Sequence, residues 1–141
     1  MKEKKSLCPV NQYLEVFGDK WTLLIIRDMM FVGKRYFNDL RNSDEKIASN
    51  ILTDRLNKLE TSRIIIKTKD SQHKQKNIYT LTKMGIDLLP IIIQMSAWSL
   101  AHKEISEKDR IHVGELISGG KNLQNKMMKD LLNEYISITN S

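Results

Sequence analysis

At 141 residues the chain is long enough to bury one core without staples, and its single cysteine rules out an internal disulfide. Twenty-three basic against 17 acidic residues leave a formal charge of +6, which favours an anionic partner without separating nucleic acid from acidic lipid. Residues 1–21 hold no uninterrupted apolar stretch of the secretion-signal kind. The most apolar run, 86–101, is broken by Asp87, Pro90 and Gln94 and is shorter than a membrane span, so no membrane anchor and a cytoplasmic location are expected.

Pro9 at a first helical position, Val10, Tyr13, Leu14 and Phe17 at helical spacing, and Gly18 as a stop predict a short first helix. Asp19 is placed to cap a second, whose apolar positions Trp21, Leu24, Ile25 and Met29, with Asp28 as the exception, run to a turn at Gly33. Residues 34–43 read as a third helix of about two turns on the spacing of Phe37 and Leu40. In 48–60, Ser49 is a candidate N-cap and Leu52, Leu56 and Leu59 form one stripe. Asn50, Thr53, Asp54 and Asn57 form a hydrogen-bonding face opposite it.

β-branched residues on either side of a polar centre predict a hairpin of 63–69 and 77–81. Thr82 can cap a long helix through Ala101, kinked near Pro90 and so apolar all round that it wants partners on more than one side. Beyond it, 103–110 is charged, Ser118 to Gly120 reads as flexible, and Leu123, Met127, Leu131 and Tyr135 predict one more amphipathic helix. The expected organisation is a unit over 1–101 and a helical extension over 102–141 packed on it.

This order of elements, mainly α with a small β-hairpin, suggests a winged helix-turn-helix. A helix entering the major groove needs short polar side chains near its N-terminus. Ser49, Asn50, Thr53, Asp54 and Asn57 meet that need: Asn pairs with adenine, Thr meets a thymine methyl and Asp accepts from cytosine. Around the hairpin tip, Lys67, Lys69, Lys74 and Lys76 against Asp70 leave a local charge of 4 − 1 = +3, with Gln72 and His73 interleaved, as for a wing that grips phosphates. Lys34, Arg35 and Arg41 would add phosphate contacts that set register.

The blocks "CPV", "GDKWTLLIIRDMMFVGKRYFNDLR", "ILTDRLNKLE" and "IYTLTKMGIDLLPII" together resemble the HxlR family of bacterial winged helix-turn-helix regulators, relatives of the MarR class, over about 8–98. The resemblance implies a homodimeric transcription factor, a repressor by the family's habit, binding double-stranded operator DNA with two recognition helices and two wings. It places the recognition helix at 48–60, the wing tip at 70–76, and dimer contacts in the helices containing 10–17 and 86–101. Two departures stand out. Ser62 and Arg63 occupy the turn where the family usually has glycine, and the wing has no proline, which suggests a looser wing.

With Pro9 opening the first helix, Cys8 falls at its N-cap, where free backbone N–H groups and the lysines at 2, 4 and 5 favour a thiolate. That suits a sensor of oxidants or electrophiles, a role the resemblance also implies for the cysteine of this block. With one thiol per chain, oxidation can end only in a link between subunits, a mixed disulfide or an adduct. The competing reading is a packing residue. Two other functions compete with redox control: a regulator gated by a small molecule among Trp21, Met29, Met30 and Trp98, and a winged-helix protein-interaction module. His73, His102 and His112 share no motif with Cys8, so no enzyme, metal or cofactor is expected.

Overall fold

A computed structural model describes residues 6–140; the lysines at 2, 4 and 5 lie outside them. The first helix, α1, spans Pro9–Phe17, and Gly18 ends it. Asp19 caps α2, Lys20–Arg27, by accepting from the Trp21 and Thr22 N–H groups at 3.0 and 3.1 Å. α2 then widens into a π-helical turn, Asp28–Val32, closed by Gly33 at φ 82°. α3, Phe37–Arg41, is shorter than the two turns expected, and α4, Ser49–Thr61, follows it as the second helix of the helix-turn-helix pair.

Strands β1, Ile65–Lys69, and β2, Asn77–Leu81, pair antiparallel with Ile65 opposite Leu81 and Lys69 opposite Asn77. The strand side of the hairpin thus begins two residues later than the sequence suggested, because Arg63 at φ 63° is still turning the chain. Thr82 caps as expected, but the helix it opens, α5 (Lys83–Ile86), stops after one turn, and α6 starts anew at Leu89–His102. A proline at 90 has no N–H to give the Ile86 carbonyl, so the chain breaks at Asp87 and Leu88 instead of kinking. α5 lies tight against the strand entry: a Cβ on Gly85 would come within 2.5 Å of the Ile64 carbonyl oxygen.

The tail also differs from expectation. It forms two helices, α7 (Glu107–Ser118), capped by Ser106, and α8 (Gly120–Thr139). The glycines join them in a tight corner, with Gly120 at φ 58°, rather than a flexible linker. One core serves all these elements. Ile26, Met29, Leu40, Leu52, Leu59, Ile65, Leu81, Ile86 and Leu89 are almost wholly buried, and Leu123, Met127, Met128, Leu131 and Leu132 of α8 close over it.

A candidate nucleic-acid interface

α4 is anchored by Leu52, Leu56 and Leu59, which turn its opposite face outward. Ser49, Asn50, Thr53 and Asn57 are all exposed there, and none of their side chains is tied up in a hydrogen bond among the described residues. Ser49 is not the N-cap; Ala48 holds that position with no side-chain cap. Its hydroxyl is therefore the first polar group of the helix itself. Asp54 is also exposed, but its carboxylate lies 2.5 Å from Arg55 and 3.2 Å from Lys58. Those two cations, Lys58 foremost, hold its pKa below the usual carboxylate value, and cytosine would have to displace them.

The cations around α3 divide. Asp28 is buried in the π-helical turn, and a buried carboxylate needs compensating charge. Arg27 supplies it at 2.8 Å and Lys34 at 3.5 Å, and Lys34 also donates to the Asn42 carbonyl. Arg35 is 14% exposed; it forks onto the Glu134 carboxylate at 2.7 and 3.0 Å and donates to the Met29 and Lys34 carbonyl oxygens. Lys34 and Arg35, expected on phosphate, are thus both partly buried and paired with carboxylates of the chain itself. Arg41 alone of the three is exposed without an ion pair among the described residues.

The wing tip is held, not loose. Asp70, 7% exposed, accepts from the Gln72 N–H at 2.9 Å and from the Tyr36 hydroxyl at 2.8 Å, while its own N–H donates to the Lys76 carbonyl at 2.9 Å. The Gln72 N–H and then Tyr36 lower the Asp70 pKa, and the same bond raises that of Tyr36. An aspartate turn latched to a tyrosine thus does the ordering that a proline would do elsewhere. Lys69, Gln72, His73, Lys74 and Lys76 all remain exposed around it, with the Lys76 ammonium 5.7 Å from the Tyr36 ring centroid. Sequence reading took Asp70 only as a charge against the lysines and missed Tyr36; its aromatic ring in a polar stretch was the available signal.

Cys8 occupies the N-cap of α1 and is exposed, as expected. The backbone N–H groups of Asn11 and then Val10 lower its pKa. α1 leads through Gly18 straight to Asp19, whose carboxylate also accepts from Arg55 of α4 at 2.8 Å. Partial burial would raise the Asp19 pKa, but bonds from Thr22, Arg55 and the backbone outweigh it and hold the group at about 2. A cavity of about 700 Å³ lies beside this link, between Leu14 and Val16 of α1 and Arg55, Lys58 and Leu59 of α4.

The four residues offered for a ligand site, Trp21, Met29, Met30 and Trp98, differ in burial. Met29 and Met30 are buried in the core, while Trp98 is 58% exposed beside His102 and Lys103. Trp98 instead continues an apolar stripe on α6 with Ile91 and Met95; Leu7, Val10, Tyr13 and Leu14 make another at α1.

A family model described as HxlR-like helix-turn-helix matches residues 16–107. The HTH-type transcriptional regulator YybR of Bacillus subtilis is 34% identical over 116 residues, 78% of this chain and 92% of YybR. The redox regulator HypR in its oxidised form superposes with a TM-score of 0.58 at 34% identity, over 70% of this chain and all of HypR. The reduced form of the transcriptional regulator YodB from B. subtilis gives 0.58 at 27% identity, over 72% of this chain and all of YodB.

Proposed function

This chain belongs to the HxlR-like helix-turn-helix family and is a transcriptional regulator of that type, and from that premise we propose that it is a cytoplasmic, homodimeric repressor whose operator affinity changes when Cys8 is oxidised or alkylated. The observation that carries the DNA reading is the outward face of α4, where four unengaged hydrogen-bonding side chains stand beside a latched basic wing. Ser49, Asn50, Thr53 and Asn57 read base edges, with Asp54 as a further reader once its cations are displaced. Arg41, Lys69, Gln72, His73, Lys74 and Lys76 meet backbone. The exposed stripes of α1 and α6 meet their copies in a second chain, giving two recognition helices about one DNA turn, roughly 34 Å, apart.

Support for the redox reading comes from the exposure and lowered pKa of Cys8 and from the likeness to HypR, a redox regulator. Two Cys8 thiols give up two electrons and two protons to diamide, which becomes a hydrazine, and a sulfur–sulfur bond joins the subunits. Any shift of α1 that follows passes through Gly18 and Asp19 to Arg55, and so to the helix that must stay in register with its partner.

The test is a mobility shift of the reduced protein on its own upstream DNA, repeated after diamide, with Cys8→Ser beside it. Specific binding that diamide alters only in the cysteine-bearing protein, together with a dimer band on a non-reducing gel, supports the reading. Equal response of both proteins overturns the role of Cys8; no preference for upstream DNA overturns the operator.

A further inference from the structure

Residues 108–141 lie beyond the family match, yet α8 reaches back across the molecule to one residue at the entrance of the helix-turn-helix. Arg35 stands two residues before α3, and three other parts of the chain converge on it. Its carbonyl accepts from the Tyr79 N–H at 2.8 Å, which hangs β2 of the wing on the linker ahead of α3. Its guanidinium donates to the Met29 carbonyl in the π-helical turn that follows α2. The remaining donors fork onto Glu134 of α8, a contact 99 residues away in sequence. Nε and one Nη both donate to Oε1, at 3.0 and 2.7 Å, and Nε also reaches Oε2 at 3.3 Å, so several charge-assisted contacts leave the planar group little rotation.

We infer that Glu134 is a positioning residue for DNA binding: through Arg35, α8 braces the linker that carries both α3 and the wing, so that recognition helix and wing are presented to one duplex at a fixed mutual angle. The inference rests on the DNA-binding reading above. Without the carboxylate, the guanidinium keeps its backbone acceptors but loses its anchor on α8, and the main-chain carbonyl that holds Tyr79 loses that support. Phosphate attraction survives, since the exposed lysines of the wing are untouched; what is lost is the simultaneous fit of two elements, hence specificity more than affinity.

The experiment uses the full chain with Glu134→Gln and Glu134→Lys. Asp130→Asn, which removes only an exposed pair with Lys126 on the same helix, is the control. Amide exchange at Tyr79 is followed without DNA, and binding to upstream and random duplexes is compared, all below the unfolding midpoints. Expected are faster Tyr79 exchange, on the order of tenfold for Gln and more for Lys, and a matching fall in the upstream-to-random affinity ratio, with the control like wild type. Tyr79 exchange and the affinity ratio both unchanged in either variant, with only a lower unfolding midpoint, would overturn the inference and leave Glu134 a stabilising residue. If wild type itself does not prefer upstream DNA, the operator reading fails separately. Tyr79 exchange then decides the brace alone: a rise upholds it and no rise overturns it.

Discussion

Arg63 holds φ at 63° between α4 and β1, a backbone region in which an L side chain crowds its own carbonyl. The turn is nonetheless well bonded, with the Arg63 N–H on the Glu60 carbonyl at 3.0 Å and the Thr82 hydroxyl on the Arg63 carbonyl at 2.6 Å. Replacing the side chain by hydrogen relieves the crowding at some cost in unfolded-chain entropy, so Arg63→Gly is expected to stabilise by about 0.5–1 kcal/mol in a denaturant titration. Asp19 makes a second prediction. Its folded pKa, about 2, lies below the ordinary 3.8, so its contribution is fully present above about pH 4 and is lost as pH falls toward 2. Thermal midpoints measured from pH 5 to 2 should fall less for Asp19→Asn than for wild type, and equal slopes would contradict the bond to Arg55.

At the scale of elements, the wing and α3 behave as one unit because Tyr36 donates across the gap to Asp70. Tyr36→Phe keeps the ring beneath Lys76 and removes only that donor, leaving the buried Asp70 carboxylate to backbone N–H groups, that of Gln72 foremost. The expected outcome is a wing whose tip amides, those of Gln72 and Lys76, exchange faster, with unfolding still cooperative. DNA affinity should drop about three- to tenfold, the scale of one typical net hydrogen bond. Unchanged exchange at both amides would mean the aspartate turn orders the tip unaided.

For the whole molecule, the exposed apolar side chains are concentrated on α1 and α6, with Tyr13, Leu14, Met95 and Trp98 each more than half exposed. Apolar stripes of this kind, one on each helix, mark an interface rather than a solvated wall. Met95→Lys on this surface is expected to convert a concentration-dependent dimer into a monomer in sedimentation, with operator binding weakened in parallel because each chain carries one recognition helix. A monomeric wild type at micromolar concentration would instead remove the dimer from the proposed mechanism.

Local chemistry was enough to locate most elements: Pro9 and Gly18 bound α1, Asp19 caps α2, Thr82 caps α5, and the period of Leu52, Leu56 and Leu59 decides which face of α4 turns outward. Such features depend on neighbours within a turn or two, so the order of residues contains them. What the sequence by itself could not determine was the partner of each charge. Lys34, Arg35 and Arg41 look alike in a basic stretch, yet the buried Asp28 claims the first, Glu134 claims the second from 99 residues away, and only Arg41 is left to solvent. The same holds for Asp70, whose partner Tyr36 lies 34 residues off, and for the tail, which closes on the core as two helices. Only folding brings such groups within a few ångströms, where Coulombic and hydrogen-bonding terms exceed the cost of leaving water, and so only the tertiary structure decided which cations are free to meet DNA.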